Sequence, residues 1–103
     1  MDVSIISPVF NEKDNLEPFI KQVSNALSKE AWTWELILVD DGSDDGSFNL
    51  LQKLSKSQKN LRIISLSKNF GQTSAIQAGF DNASGKYLVT LDSDLKNDPK
   101  DIP

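Results

Sequence analysis

The chain has 103 residues, 38% hydrophobic and 25% charged, with a net charge of −4, which suits one small soluble domain or part of a larger one. It contains neither cysteine nor histidine, so disulfides, thiolate metal sites and imidazole bases are excluded, and any metal must sit on oxygen ligands, which favours Mg²⁺, Mn²⁺ or Ca²⁺. A single arginine argues against a nucleic-acid partner, no apolar run approaches the roughly 20 residues of a membrane span, and no basic-then-apolar signal peptide opens the chain.

Val3–Val9, VSIISPV, is a β-rich run and reads as a first strand, followed by the polar connector FNEKDN. From Leu16 the apolar residues Leu16, Phe19, Ile20, Val23, Ala26 and Leu27 fall at helical spacing. Asp14 or Asn15 is placed to cap this helix, and Pro18 is then accommodated in its first turn. ELILVDD, residues 35–41, is an almost continuous apolar run ending in acid, the pattern of a strand buried on both faces. GSDDGS is a turn and helix entry, and Phe48, Leu51 and Leu54 mark a second, weaker helix. LRIISL at 61–66 is a third strand, QTSAIQAGFDNA at 72–83 a third helix rich in small residues, and 86–92 a fourth strand.

The βαβαβαβ order predicts an α/β fold, Rossmann-like, with three αβα layers and a mainly parallel sheet. In such sheets ligands bind at the C-terminal strand ends near the switch in strand order. Eight of the fifteen acidic residues lie in two segments that each follow a strand: Asp40, Asp41, Asp44, Asp45, and Asp92, Asp94, Asp98, Asp101. If the first and fourth strands are neighbours, Glu12, Asp40, Asp41, Asp92 and Asp94 converge on one cleft. The end of the chain soon after the fourth strand reads as the front half of a larger domain. The exposed edge of that strand predicts self-association, a homo-oligomer.

Asp92 and Asp94 in LDSDLKND sit at i and i+2 of an extended chain, with Cα atoms about 6–7 Å apart on the same side. That spacing suits a hard divalent cation that neutralises a diphosphate; the alternative is a plain turn. Lys96 is no metal ligand and reads as a phosphate contact or a solvated turn lysine. An EF-hand is ruled out, since Asn97 stands where the loop needs glycine and Pro103 where it needs glutamate. In VDDGSDDGS one of Asp40 and Asp41 is a candidate acceptor for hydrogen bonds from a base or ribose, and the other, with Asp44, a candidate cap for the turn and the next helix; the alternative is turn and cap chemistry alone. Glu12 is a candidate for ribose hydroxyls. Lys68, Asn69 and Gly71 precede a helix N-terminus and suggest an anion contact, with Phe70, Ala75 and Ile76 assigned to packing.

Together SIISPVFNE, ELILVDDGSDDGS and LSKNFGQTSAIQAGFDNASGKYLVTLDSDLKNDP resemble the family 2 glycosyltransferases of the GT-A fold, in particular the branch making polyprenyl-phosphate sugars. The resemblance runs over about residues 3–99. It implies that Pro8, Phe10, Asn11 and Glu12 line a nucleoside pocket, that Asp40 and Asp41 contact base or ribose, and that Lys68 touches the nucleotide. It implies further that Asp92 and Asp94 form the catalytic D-x-D, holding Mg²⁺ or Mn²⁺ against the diphosphate. The branch usually has Gln where this chain has Lys96, a departure at the metal site.

The implied activity is inverting transfer of a hexose from a UDP- or GDP-sugar, with a polyprenyl phosphate as acceptor, by a longer protein at the cytoplasmic face of the membrane. Residues 1–103 would be its nucleotide-sugar-binding part, inactive alone. Two alternatives stand beside this reading: a Mg²⁺-binding phosphorelay receiver, and a non-catalytic nucleotide-binding fragment.

Overall fold

The computed structural model describes residues 1–91. Strands and helices alternate as β1 (Val3–Val9), α1 (Lys13–Leu27), β2 (Trp34–Asp40), α2 (Ser47–Ser55), β3 (Leu61–Ser65), α3 (Gln72–Asn82) and β4 (Tyr87–Thr90). The sheet is parallel throughout, in the order β3-β2-β1-β4. β1 pairs with β2 from Val3↔Trp34 to Val9↔Asp40 and with β4 from Val3↔Tyr87 to Ile6↔Thr90. The chain therefore runs outward from β1 to β3 and then crosses to the other side of β1. That reversal puts the switch point between β1 and β4 and makes the two strands neighbours, as the convergence argument required.

Strand alternation sorts the core into two layers. Ile5, Val9, Leu36 and Leu38 face α1 and α2, where they meet Leu16, Phe19, Val23, Leu27 and Leu51. Ile6, Ile37 and Val39 face the other way, against Ala75 of α3. Residues 35–40 of β2 are buried without exception, which accounts for the apolar run Leu36–Val39 between its two acidic ends. α3 approaches β1 closely because Gly79 has no side chain: a Cβ there would stand 2.4 Å from Ile6 Cγ2. β4 is an edge strand whose Tyr87 is 71% exposed.

Two details of α1 differ from expectation. The helix begins at Lys13, so Pro18 is its sixth residue and lies beyond the first turn. Proline there removes one intrahelical hydrogen bond, a loss outweighed by the buried stripe from Leu16 to Leu27. Neither Asp14 nor Asn15 is the cap. Glu12 occupies that position, without a side-chain cap bond, and the Lys13 amide donates instead to Asp45 Oδ2 at 3.2 Å.

The N-terminal strand ends are tied by Glu35, which sequence reading passed over as one end of an apolar run. Its buried carboxylate accepts from the Ser4 hydroxyl, from the Ser84 amide at 2.8 Å and from Arg62 Nη1 at 3.0 Å. Ser4 Oγ in turn accepts the Gly85 amide at 2.7 Å, and Arg62 also donates to the Asn82 carbonyl. One carboxylate thus joins β1, β2, β3 and the α3–β4 connection. Burial alone would raise its pKa, but the Ser4, Ser84 and Arg62 hydrogen bonds outweigh it and hold the group below the ordinary glutamate value.

Candidate nucleotide-binding site

At the opposite, C-terminal edge of the sheet three loops gather. The β1–α1 loop carries Phe10, Asn11 and Glu12, just past Pro8 near the end of β1. Asn11 adopts φ 52°, a left-handed conformation that asparagine tolerates. From it the Asn11 amide donates to Ser43 Oγ at 2.9 Å, and Asn11 Oδ1 accepts the Asp44 amide at 3.0 Å. The first loop is thereby stitched to the β2–α2 turn. Glu12 is half-buried and accepts from Asn15 Nδ2 at 2.9 Å. Pro8 is half-buried at the end of β1, and Phe10 stands 44% exposed on the rim.

Within the β2–α2 turn the N-cap position of α2 is Gly46, and the carboxylate that takes up the first amide of the helix belongs to Asp45 rather than Asp44. Asp45 Oδ1 accepts the Ser47 amide and hydroxyl while Oδ2 holds the Lys13 amide, so one carboxylate serves the starts of both α1 and α2. Desolvation opposes ionisation here, but the Ser47 and Lys13 hydrogen bonds prevail and lower the Asp45 pKa. Asp44 is exposed, and its amide donates to Asn11 Oδ1.

The acidic pair divides by strand alternation. Asp41 lies on the α3 side and is 3% exposed. It accepts the Phe70 amide at 2.8 Å on one oxygen and the Gly71 amide at 3.0 Å on the other. Asp40 lies on the α1–α2 side and is 2% exposed. Among the described residues its carboxylate takes up one long hydrogen bond, 3.4 Å from the Ser43 amide.

The third loop, between β3 and α3, rests on this turn. The Leu66 amide donates to the Asp40 carbonyl, and the Lys68–Asn69 backbone runs so close to Gly42 that a Cβ there would stand 2.4 Å away. Lys68 is exposed with Nζ 5.3 Å from the Phe70 ring centroid. Phe70, expected in packing, is instead 49% exposed because the chain turns at Gly71 before the apolar face of α3 begins. The anion expected at the α3 N-terminus is the protein's own Asp41.

Asn11, Asp40, Asp41 and Lys68 are thus brought to one rim, with Pro8 at the end of β1 and Phe10 and Glu12 on the loop that follows it. Asp92, Asp94 and Lys96 lie outside the described residues. The last described residue, Leu91, donates its amide to the Ile6 carbonyl, which keeps the chain alongside β1. Among the described residues no group of three or more acidic side chains could hold a metal ion, and no helix is long and apolar enough to cross a membrane.

Comparison with known proteins agrees with this architecture. The chain is 45% identical over 104 residues to the dodecaprenyl-phosphate galacturonate synthase of Rhizobium johnstonii, covering 100% of this chain and 31% of that protein. It is 45% identical over 103 residues to the undecaprenyl-phosphate 4-deoxy-4-formamido-L-arabinose transferase of Pectobacterium atrosepticum, covering 99% and 32%. The chain therefore spans about a third of the length of these relatives. Among solved structures, S. aureus TarS 1–349 in complex with UDP-GlcNAc superposes with a TM-score of 0.68 at 28% identity, over 91% of this chain and 27% of that one. The mannosyltransferase PcManGT from Pyrobaculum calidifontis, in complex with GDP-Man and Mn²⁺, shares the fold with a TM-score of 0.80 at 21% identity, over 89% and 27%.

The receiver alternative falls on these findings, and also on topology: a receiver has the strand order 2-1-3-4-5, whereas this sheet is ordered β3-β2-β1-β4. The description "Glycosyl transferase family 2" matches residues 4–103, and the chain belongs to that family.

Proposed function

We propose that this chain is the nucleotide-sugar-binding part of a longer inverting glycosyltransferase, which transfers a sugar from a UDP- or GDP-sugar to a polyprenyl phosphate at the cytoplasmic face of a membrane. The named activities of the relatives support the acceptor class. In the reaction an acceptor phosphate oxygen bonds to C1 of the sugar, the C1–O bond to the diphosphate breaks, and the nucleoside diphosphate leaves with the bonding pair. A phosphate acceptor is already anionic and needs less help from a base.

The observation that carries this reading is the inequality of the acidic pair. Asp40 sits at the end of β2 with acceptor capacity to spare, whereas Asp41 has both oxygens engaged. A buried carboxylate with that capacity recognises an N–H donor, such as the imide of uracil or N1–H of guanine. Phe10 offers an apolar wall, Glu12 an acceptor for ribose hydroxyls, and Lys68 a point charge for phosphate. The chain's donor set is all oxygen and fits a hard cation, so Asp92 and Asp94 would hold Mg²⁺ or Mn²⁺. Such an ion would offset the charge on the leaving diphosphate. The fragment without the remaining two-thirds of its relatives is expected to bind nucleotide without turnover.

Calorimetric titration with UDP, GDP and ATP in Mn²⁺ tests the reading. Saturable binding of UDP or GDP, about tenfold tighter than ATP, is expected, a difference of about 1.4 kcal/mol. Adenine's pairing edge presents an acceptor where the other two bases present N–H. Equal binding of all three, or of none, contradicts the assignment of Asp40.

A further inference from the structure

The proposed site leaves unexplained why a second carboxylate stands beside Asp40. We propose that Asp41 is a positioning residue: it acts on the nucleotide diphosphate through the 68–71 segment and makes no contact with the ligand itself. The inference rests on the nucleotide-binding reading above.

Four observations converge. Asp41 is 3% exposed, and each of its oxygens accepts a backbone amide, Phe70 at 2.8 Å and Gly71 at 3.0 Å. Those amides stand immediately before Gln72, where α3 begins and its dipole favours a negative charge. The helix's own anion is therefore supplied from the residue just after β2, and charge-assisted bonds to two successive amides fix the backbone that carries Lys68 and Phe70. Gly42, the residue after Asp41, lets that backbone lie against the turn. On the outer side the same segment displays the Lys68 ammonium, 5.3 Å from the Phe70 ring. A cation held over an aromatic face at the rim is suited to the phosphates of a nucleotide, and its placement follows from the buried carboxylate.

Asp41→Asn tests this. The amide keeps the shape but offers one acceptor for two donors, of which Gly71 alone has another partner, Asn69 Oδ1 at 3.0 Å. Expected are faster hydrogen exchange at the Phe70 and Gly71 amides, by about tenfold, with β1 protection unchanged. UDP or GDP affinity should fall about tenfold, and Lys68→Ala should weaken the wild type but add little in the Asp41→Asn background, a non-additive cycle. Weaker nucleotide binding with both amides still protected, and an additive cycle, would overturn the proposal in favour of direct contact.

If Asp41→Asn fails to fold, the surface variants Lys68→Ala and Phe70→Leu decide the matter without touching the buried carboxylate. Unchanged UDP and GDP affinity in both overturns the proposal. A wild-type chain that binds neither nucleotide rejects the parent reading, while the exchange measurement still reports whether Asp41 holds the segment.

Discussion

Replacing Glu35 with alanine is expected to cost about 3 kcal/mol of folding free energy. The substitution removes the acceptor for the Ser4 hydroxyl, the Ser84 amide and Arg62 at once. Breaking a buried ion pair from one side typically costs about 3–5 kcal/mol, and the lower end applies because Arg62 is half exposed and can still reach water. A domain of this size has about 5–15 kcal/mol in all, so the loss is a large fraction of the whole. The check is urea unfolding: the midpoint should fall by about 1–3 M with the slope unchanged. Glu17→Ala serves as comparison, since its pair with Lys21 is exposed at 3.6 Å and should contribute under about 0.5 kcal/mol. The effect should also depend on pH. Because folding lowers the Glu35 pKa, its contribution is fully present above the ordinary value of 4.5 and is lost as pH falls through the folded value. The stability gap between wild type and Glu35→Ala should therefore narrow in strong acid.

Gly42→Ala is expected to be nearly as damaging, and at the functional edge. Gly42 has φ 74°, which alanine adopts at a cost of about 1–2 kcal/mol. The added Cβ would lie 2.4 Å from the backbone at Lys68 and Asn69, so either the turn or the 68–71 segment must move. Combined strain of about 2–4 kcal/mol is expected, typical of overpacking plus an unfavourable backbone. Thermal unfolding reads the stability, and amide chemical shifts of Phe70 and Gly71 read the displacement. A variant with wild-type stability and unshifted amides would show that the two loops are not held in contact.

The fold was legible because each element carries its period. β1 and β2 are buried along their length and read as apolar runs; α1 shows its stripe of Leu16, Phe19, Ile20 and Val23. The neighbourhood of β1 and β4, on which the cleft depends, was conditional in the sequence and is explicit in the pairing. Partnerships between distant polar residues were not legible. Periodicity says nothing about Asp45 reaching the Lys13 amide, because the two meet only once α1 and α2 pack on one face. The division of labour between Asp40 and Asp41 follows from strand alternation, yet which of them meets backbone depends on where the 68–71 segment lies. Glu35 escaped notice because its partners come from β1, from β3 and from residue 84, far apart in the chain. Phe70 resembled core by composition, and only its position outside the α3 stripe marks it as rim.

The proposed nucleotide-sugar clamp would lie at the C-terminal edge of this sheet, with Asp92 and Asp94 as its expected metal ligands. Calorimetry of UDP- and GDP-sugars against this chain and against Asp94→Ala, each with and without Mn²⁺, tests it most directly. One of the two donors should bind the wild-type chain more tightly with Mn²⁺ than without, and Asp94→Ala should lose that Mn²⁺-dependent gain while keeping its unfolding midpoint. Binding that is indifferent to Mn²⁺ in the wild type, or equally Mn²⁺-dependent in Asp94→Ala, would contradict the assignment of the clamp.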